Sequence, residues 1–236
     1  MKNIGIIGGV GPIATELYYH SLVTKVETLH GEKPEITVYN LGVDPEIENA
    51  FIQGYECVDK EIYLRTRYLL LQVLEKFVQN SITTIAMPCN TLQPLLEDIC
   101  KKEASSFHNI NLIEETSMQV ARQKVKRVLI IGTNETCRSN IYGDTLKRSG
   151  IEHTYLAEDD QQIVAQHISA CLRAPQDASP YLKNFIACIE RASHDVDGVV
   201  IACTDLSGHV LNEHLSTPVI DSLQALVDSS AEYILS

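Results

Sequence analysis

Short apolar runs alternate with longer amphipathic stretches along most of this chain. Residues 4–7, 36–41, 82–87, 128–131 and 199–203 are brief, often β-branched and bounded by turn formers, which predicts strands. Runs at 110–113 and 218–220 are further strand candidates. Between them, 14–28, 60–80, 92–103, 142–149, 161–173, 181–192 and 223–235 carry helical periodicity. Within 60–80, Leu64, Tyr68, Leu70, Leu71, Leu74 and Phe77 recur every three or four residues and are expected to form one buried stripe. Apolar strands joined by helices predict the α/β class, with parallel sheets covered by helices on both faces.

The pattern occurs twice. Ile6-Ile7-Gly8 returns as Ile130-Ile131-Gly132, and the run through Pro88-Cys89-Asn90-Thr91 is echoed by Ala202-Cys203-Thr204. Strands of α/β proteins often look alike, so resemblance between halves can arise without duplication. The alternative is two pseudo-symmetric lobes, each a parallel sheet flanked by helices, with an active site in the cleft between them. Ligands of parallel sheets bind beyond the carboxyl ends of the strands, where Cys89 and Cys203 both fall.

Composition narrows the partner classes. The 236 residues include 19 Lys+Arg against 31 Asp+Glu, a formal charge of −12. That balance argues against a nucleic-acid surface, which would show a basic stripe, but a few local donors could still hold an anionic substrate. Seven scattered cysteines with no CxxC pair point to a reducing, cytoplasmic setting rather than a disulfide framework. No apolar stretch reaches membrane-spanning length, and no signal peptide is expected.

The chemistry-bearing candidates are the two strand-end cysteines. A thiol at a helix N-terminus meets partial positive charge and unpaired N–H groups that favour the thiolate, which suits Cys89 ahead of helix 92–103. One thiolate can remove a proton from carbon while a thiol opposite returns one, inverting a stereocentre. Amides and hydroxyls around Asn90, Thr91 and Thr204 could hold a carboxylate and stabilise the charge that develops. A buried, inert role is cysteine's commonest one, and it is expected for Cys57, Cys100, Cys137, Cys171 and Cys188. Gly8-Gly9-Val10-Gly11 fits neither a dinucleotide fingerprint nor a P-loop. His209 and His214 near Cys203 lack a fourth ligand at useful spacing, so no metal site is expected. Glu114-Glu115 and Glu158-Asp159-Asp160 suit caps or turns, the latter just before a helix.

Gly8-Gly9-Val10-Gly11-Pro12 with Ala14-Thr15, Pro88-Cys89-Asn90-Thr91, Gly132-Thr133 with Thr136 and Tyr142, and Cys203-Thr204-Asp205 occur in that order. In this the chain resembles the aspartate/glutamate racemase family of cofactor-independent amino-acid racemases. The resemblance implies two lobes, expected at 1–115 plus 216–236 and at 116–215, with Cys89 and Cys203 as the proton donor and acceptor. It implies substrate contacts at Val10, Thr15, Asn90, Thr91, Leu92, Thr133 and Thr204, no cofactor, a small amino-acid or dicarboxylate substrate, and a possible homodimer. Arg173 stands where members commonly carry a carboxylate-binding Lys.

The chain also departs from the family's pattern. Leu92-Gln93 replaces a small residue followed by His, and Asp205 stands where Glu is usual. The expected loop after the second strand, 44–51, holds no Arg, and Phe51 lies near a position where some members have Gln. The substrate side chain therefore stays open between Asp, Glu and another amino acid. The same fold admits a maleate-type cis–trans isomerase or decarboxylase in which one cysteine attacks covalently, or a catalytically silent ligand-binding homologue.

Overall fold

The computed structural model describes residues 1–53, 58–173, 179–207 and 214–236, except the side chains of Arg173 and Ser179. Cys57 and His209 lie outside the described residues. Two four-stranded sheets, every strand pair parallel, have the same internal order. The first runs β2 (Ile36–Asn40), β1 (Ile4–Gly8), β3 (Thr84–Ala86), β4 (His108–Ile110). The second runs β6 (Glu152–Tyr155), β5 (Arg127–Gly132), β7 (Gly198–Ala202), β8 (Val219–Asp221).

Alternation along the strands explains how the sheets are layered, because successive side chains leave opposite faces. Ile4, Ile6, Val128, Ile130, Val200 and Ala202 face one core shared by both sheets. Into it α1 (Pro12–His30), α5 (Leu112–Arg122), α7 (Gly143–Arg148) and α10 (Ser222–Leu235) send Tyr18, Leu112, Leu146 and Leu226. Ile7 and Ile85 face an outer core with α3 (Lys60–Gln79) and α4 (Gln93–Lys102). Leu129, Ile131, Val199 and Ile201 face another with α8 (Glu158–Arg173) and α9 (Ser179–Ala192). β8 pairs with β7 in the second sheet, while α10 packs on α1 and α5. Among the described residues no helix is long and apolar enough to cross a membrane.

Four elements differ from the sequence expectation. Segment 44–51 is not a loop: α2 (Pro45–Gln53) starts where the Asp44 carboxylate accepts from the N–H groups of Glu46 and Ile47. Residues 110–113 divide between the end of β4 and α5, because the Asn111 side chain caps the helix by accepting from Ile113 and Glu114. Glu114 and Glu115 thus sit in a first helical turn, as do Glu158, Asp159 and Asp160 in α8. A short α6 (Asn134–Arg138) and strand β6 also carry too few apolar residues for a periodic signal.

The buried stripe of α3 is rotated from the expected one. Ile62, Thr66, Leu70, Val73, Leu74 and Phe77 are buried, whereas Leu64 is 50% exposed and Tyr68 61% exposed. Apolar residues occupy most of this helix's surface, so spacing alone did not set its phase. Phe77 packs edge-on against Tyr39 and fills the space beside Gly5, where an added Cβ would come within 2.7 Å of its ring. Phe77→Ala should therefore cost about 3–5 kcal/mol in urea unfolding, and Tyr68→Ala no more than about 0.5 kcal/mol. Equal losses would contradict this phase.

Candidate active site

The site forms where β3 and β7 end. Beyond β3, Met87-Pro88 leads to Cys89, and the chain turns at once into α4, so the N–H groups of Thr91 and Leu92 point at the Cys89 sulfur. Cys203 follows β7 directly, and its sulfur receives the N–H of Asp205. The two thiols are pseudo-equivalent and line one cleft, 8% and 5% exposed.

The helix-end argument for a ready thiolate holds only in part. Burial pushes the Cys89 thiol up to about 12, the Asp205 charge adds to it, and the two N–H groups oppose without prevailing. Cys203 is raised well above the ordinary thiol value, first by burial and then by Asp205. Burial thus favours the protonated form of both thiols, and positive charge entering the cleft would favour the thiolate.

Asp205 is the charged neighbour that acts on both thiols. Its Oδ2 lies 4.0 Å from the Cys203 sulfur, and its Oδ1 is buried with no hydrogen-bond partner among the described residues. Burial, and then the charge of Glu48, raise this carboxyl to about 7. It packs against Gly11 so closely that a Cβ there would clash with Oδ1. The loop above it bends at Gly9, whose φ of +91° and 2.6 Å approach to the Leu41 carbonyl exclude a side chain.

Thr15 braces that loop and does not line the cleft. Its hydroxyl donates to the Gly11 carbonyl at 2.9 Å and accepts from the Gly9 N–H at 3.1 Å. Val10 at the loop's tip does line it.

Hydrogen bonds from Asn90, Thr91 and Thr204 join the ends of the two sheets along the cleft. The Thr91 and Thr133 hydroxyls meet at 3.1 Å, and the Thr204 hydroxyl donates to the Pro88 carbonyl at 2.8 Å. Buried Asn90 donates to the Ser222 hydroxyl at 3.0 Å and accepts from the Tyr142 hydroxyl. Asn90, Thr91, Leu92, Thr133 and Thr204 all reach the lining, but Asn90 and Thr204 spend their side-chain donors on this joint. Gln93, the other departure beside Leu92, is fully buried, and neither of its amide atoms has a partner among the described residues.

The cleft is roofed from both lobes. α2 supplies Ile47, Glu48, Phe51 and Ile52, and α8 supplies Ile168 and Leu172. Arg173 ends α8, one residue past Leu172; its side chain lies outside the described residues. Glu48, Asp205 and the α2 face were not picked out as site residues from sequence. The Asp44 cap and the Ile47–Phe51 spacing of four residues were the available signals for α2. Among the described residues no group of three His, Cys, Asp or Glu side chains is placed to hold a metal.

The sequence profile described as Asp/Glu/Hydantoin racemase matches residues 7–229. The broad specificity amino-acid racemase RacX of Bacillus subtilis (strain 168) is 24% identical over 238 residues, covering 98% of each chain. A glutamate racemase of Chlorobium phaeobacteroides is 32% identical over 159 residues, 60% of this chain and 53% of that one. Among solved structures, the aspartate racemase of Picrophilus torridus superposes with a TM-score of 0.78 at 25% identity, covering 99% of this chain and 94% of that one. With its paired parallel sheets and a match over almost its whole length, the chain belongs to the Asp/Glu/Hydantoin racemase family, whose members here are isomerases.

Proposed function

We propose that the protein is an amino-acid racemase of the aspartate/glutamate type in its chemistry, acting without a cofactor by two-base proton transfer between Cys89 and Cys203. The observation that carries this reading is the placement of two pseudo-equivalent thiols, one from each sheet, on one cleft. In one direction the Cys89 thiolate takes the α-hydrogen as a proton, and the C–H electron pair moves into the carboxylate. The Cys203 thiol then protonates the opposite face and is left as the thiolate. The reverse sequence serves the other enantiomer.

The N–H groups of Thr91 and Leu92, and of Asp205, support whichever sulfur carries the charge. The substrate ammonium, lodged near Asp205, supplies the positive charge that the buried thiols lack. Val10, Thr91, Leu92 and Thr133 form the substrate's immediate surroundings, Asn90 and Thr204 hold the floor, and Thr15 supports the loop. Arg173 is assigned to the substrate carboxylate, supported by its place beside Leu172 at the end of α8.

In the lobe division at 1–115 plus 216–236 and 116–215, the placing of α10 is supported by its packing on α1 and α5, while β8 within 216–236 joins the second sheet. A cytoplasmic setting accords with six buried cysteines among the described residues, none of them in a disulfide. Exposed Leu64 and Tyr68 accord with a homodimer.

The test is incubation with enantiopure amino acids in D₂O. Racemisation should place deuterium at the α-carbon of the inverted product with no covalent adduct, and Arg173→Ala should raise KM at least about tenfold, the effect of losing one charge-assisted contact. A thioether adduct detected by mass spectrometry would favour the covalent diacid isomerase, and saturable binding without exchange would favour a silent binder.

A further inference from the structure

The geometry points to a neutral amino acid with an aliphatic side chain, of the leucine, isoleucine, valine or methionine kind, as the substrate class of this cleft, in preference to aspartate or glutamate. This rests on the racemase reading above. The apolar walls of the lining are built largely by Val43, Ile47, Phe51, Ile52, Ile168 and Leu172. All come from the two roofing helices or the segment leading into α2, and Ile47, Phe51, Ile52 and Ile168 are buried.

The charged groups of the described lining are both acids, Glu48 and Asp205; it contains no Lys, Arg or His. They already act on each other unfavourably, since Glu48 contributes to raising the Asp205 carboxyl.

The α-groups shared by every amino acid account for the polar end of the cleft. The ammonium takes Asp205, which lies beside Cys203 with one oxygen unpartnered among the described residues. The α-carboxylate takes Arg173 and the hydroxyls of the Thr91–Thr133 pair. A second carboxylate on the substrate would then meet apolar walls and Glu48, with no cation among the described lining residues to receive it. Its desolvation would go uncompensated and its charge would be repelled. An aliphatic chain gains contact with the same walls, where each methylene is worth about 10–200-fold in discrimination.

The experiment measures kcat/KM for α-proton exchange and inversion with both enantiomers of Leu, Ile, Val, Met, Asp, Glu, Lys and Arg, using the full-length protein. The aliphatic set should exceed Asp and Glu by at least about a hundredfold. Phe51→Arg, placed on the α2 face of the chamber and checked for folding by circular dichroism, should shift the ratio toward Asp and Glu at least about tenfold. If that variant does not fold, the wild-type substrate profile decides alone.

Preference for Asp or Glu would overturn the aliphatic assignment and leave the racemase reading intact. Preference for Lys or Arg would overturn it by assigning Glu48 to the substrate side chain. Exchange with no amino acid would remove the racemase reading and this inference with it.

Discussion

Cys89→Ser and Cys203→Ser should each lower racemisation at least about a thousandfold, equivalent to about 4 kcal/mol of transition-state stabilisation. A serine hydroxyl fits the space of the thiol but is far weaker as an acid, and without an adjacent base it is a poor proton acceptor. Burial already pushes the Cys89 thiol to about 12, so an alcohol there would remain protonated throughout the working range. The loss should also have a direction. Each variant keeps one thiol on one face, so it can still exchange the α-proton of one enantiomer with D₂O and return deuterium to the face it left.

Cys89→Ser and Cys203→Ser should therefore wash deuterium into opposite enantiomers, without inversion in either case. A purely structural cysteine predicts something different. Replacing a buried thiol that only packs would lower stability modestly and affect both enantiomers alike. Chiral chromatography with mass detection separates the two outcomes, and undiminished inversion by either variant refutes the two-base scheme.

The sequence disclosed the parts of the molecule that obey local rules. β1, β3 and β7, and β5 after its exposed first residue Arg127, are buried, near-continuous apolar runs because both faces of each sheet are covered. Their ends located Cys89 and Cys203. What stayed hidden depended on tertiary context. The α3 stripe was misphased because Leu64 and Tyr68 are apolar yet face outward. α2 is hidden in the sequence because Pro45 and its acids mask a helix that only the Asp44 cap and its packing on α8 reveal.

The thiol electrostatics were misjudged for a related reason. The helix start and its N–H groups are visible in the order of residues, but the burial that outweighs them is a property of two lobes closed on each other. Likewise the sequence shows Asp205 only as a departure from the usual Glu. Its weight comes from Gly11 and Glu48, which lie far from it in sequence and close to it in space.

Asn90→Ala should destabilise the protein by about 2 kcal/mol and lower kcat at least about tenfold, with the larger consequence at the joint between lobes. Asn90 is 2% exposed, and its amide links the end of β3 to Ser222 at the start of α10 and to Tyr142 at the start of α7. Truncation leaves the Ser222 hydroxyl without this donor and the Tyr142 hydroxyl without this acceptor, each a cost of about 1–3 kcal/mol. Tyr142 also has Thr116 and Ser222 within reach, which holds the total toward the lower end.

The kinetic effect follows from where those partners sit. Cys89 belongs to one sheet and Cys203 to the other, so the path of the proton depends on how the lobes register. A misplacement of about 1 Å can cost a hundredfold in rate. Tyr142→Phe removes the other half of the same contact, so the double variant should lose less than the sum of the single ones, by about 0.5–3 kcal/mol. Urea unfolding gives the stability cycle, and inversion rates give a parallel cycle in kcat. Additive stability losses with an unchanged kcat would mean that Asn90 only fills space and that the register of the thiols is set elsewhere.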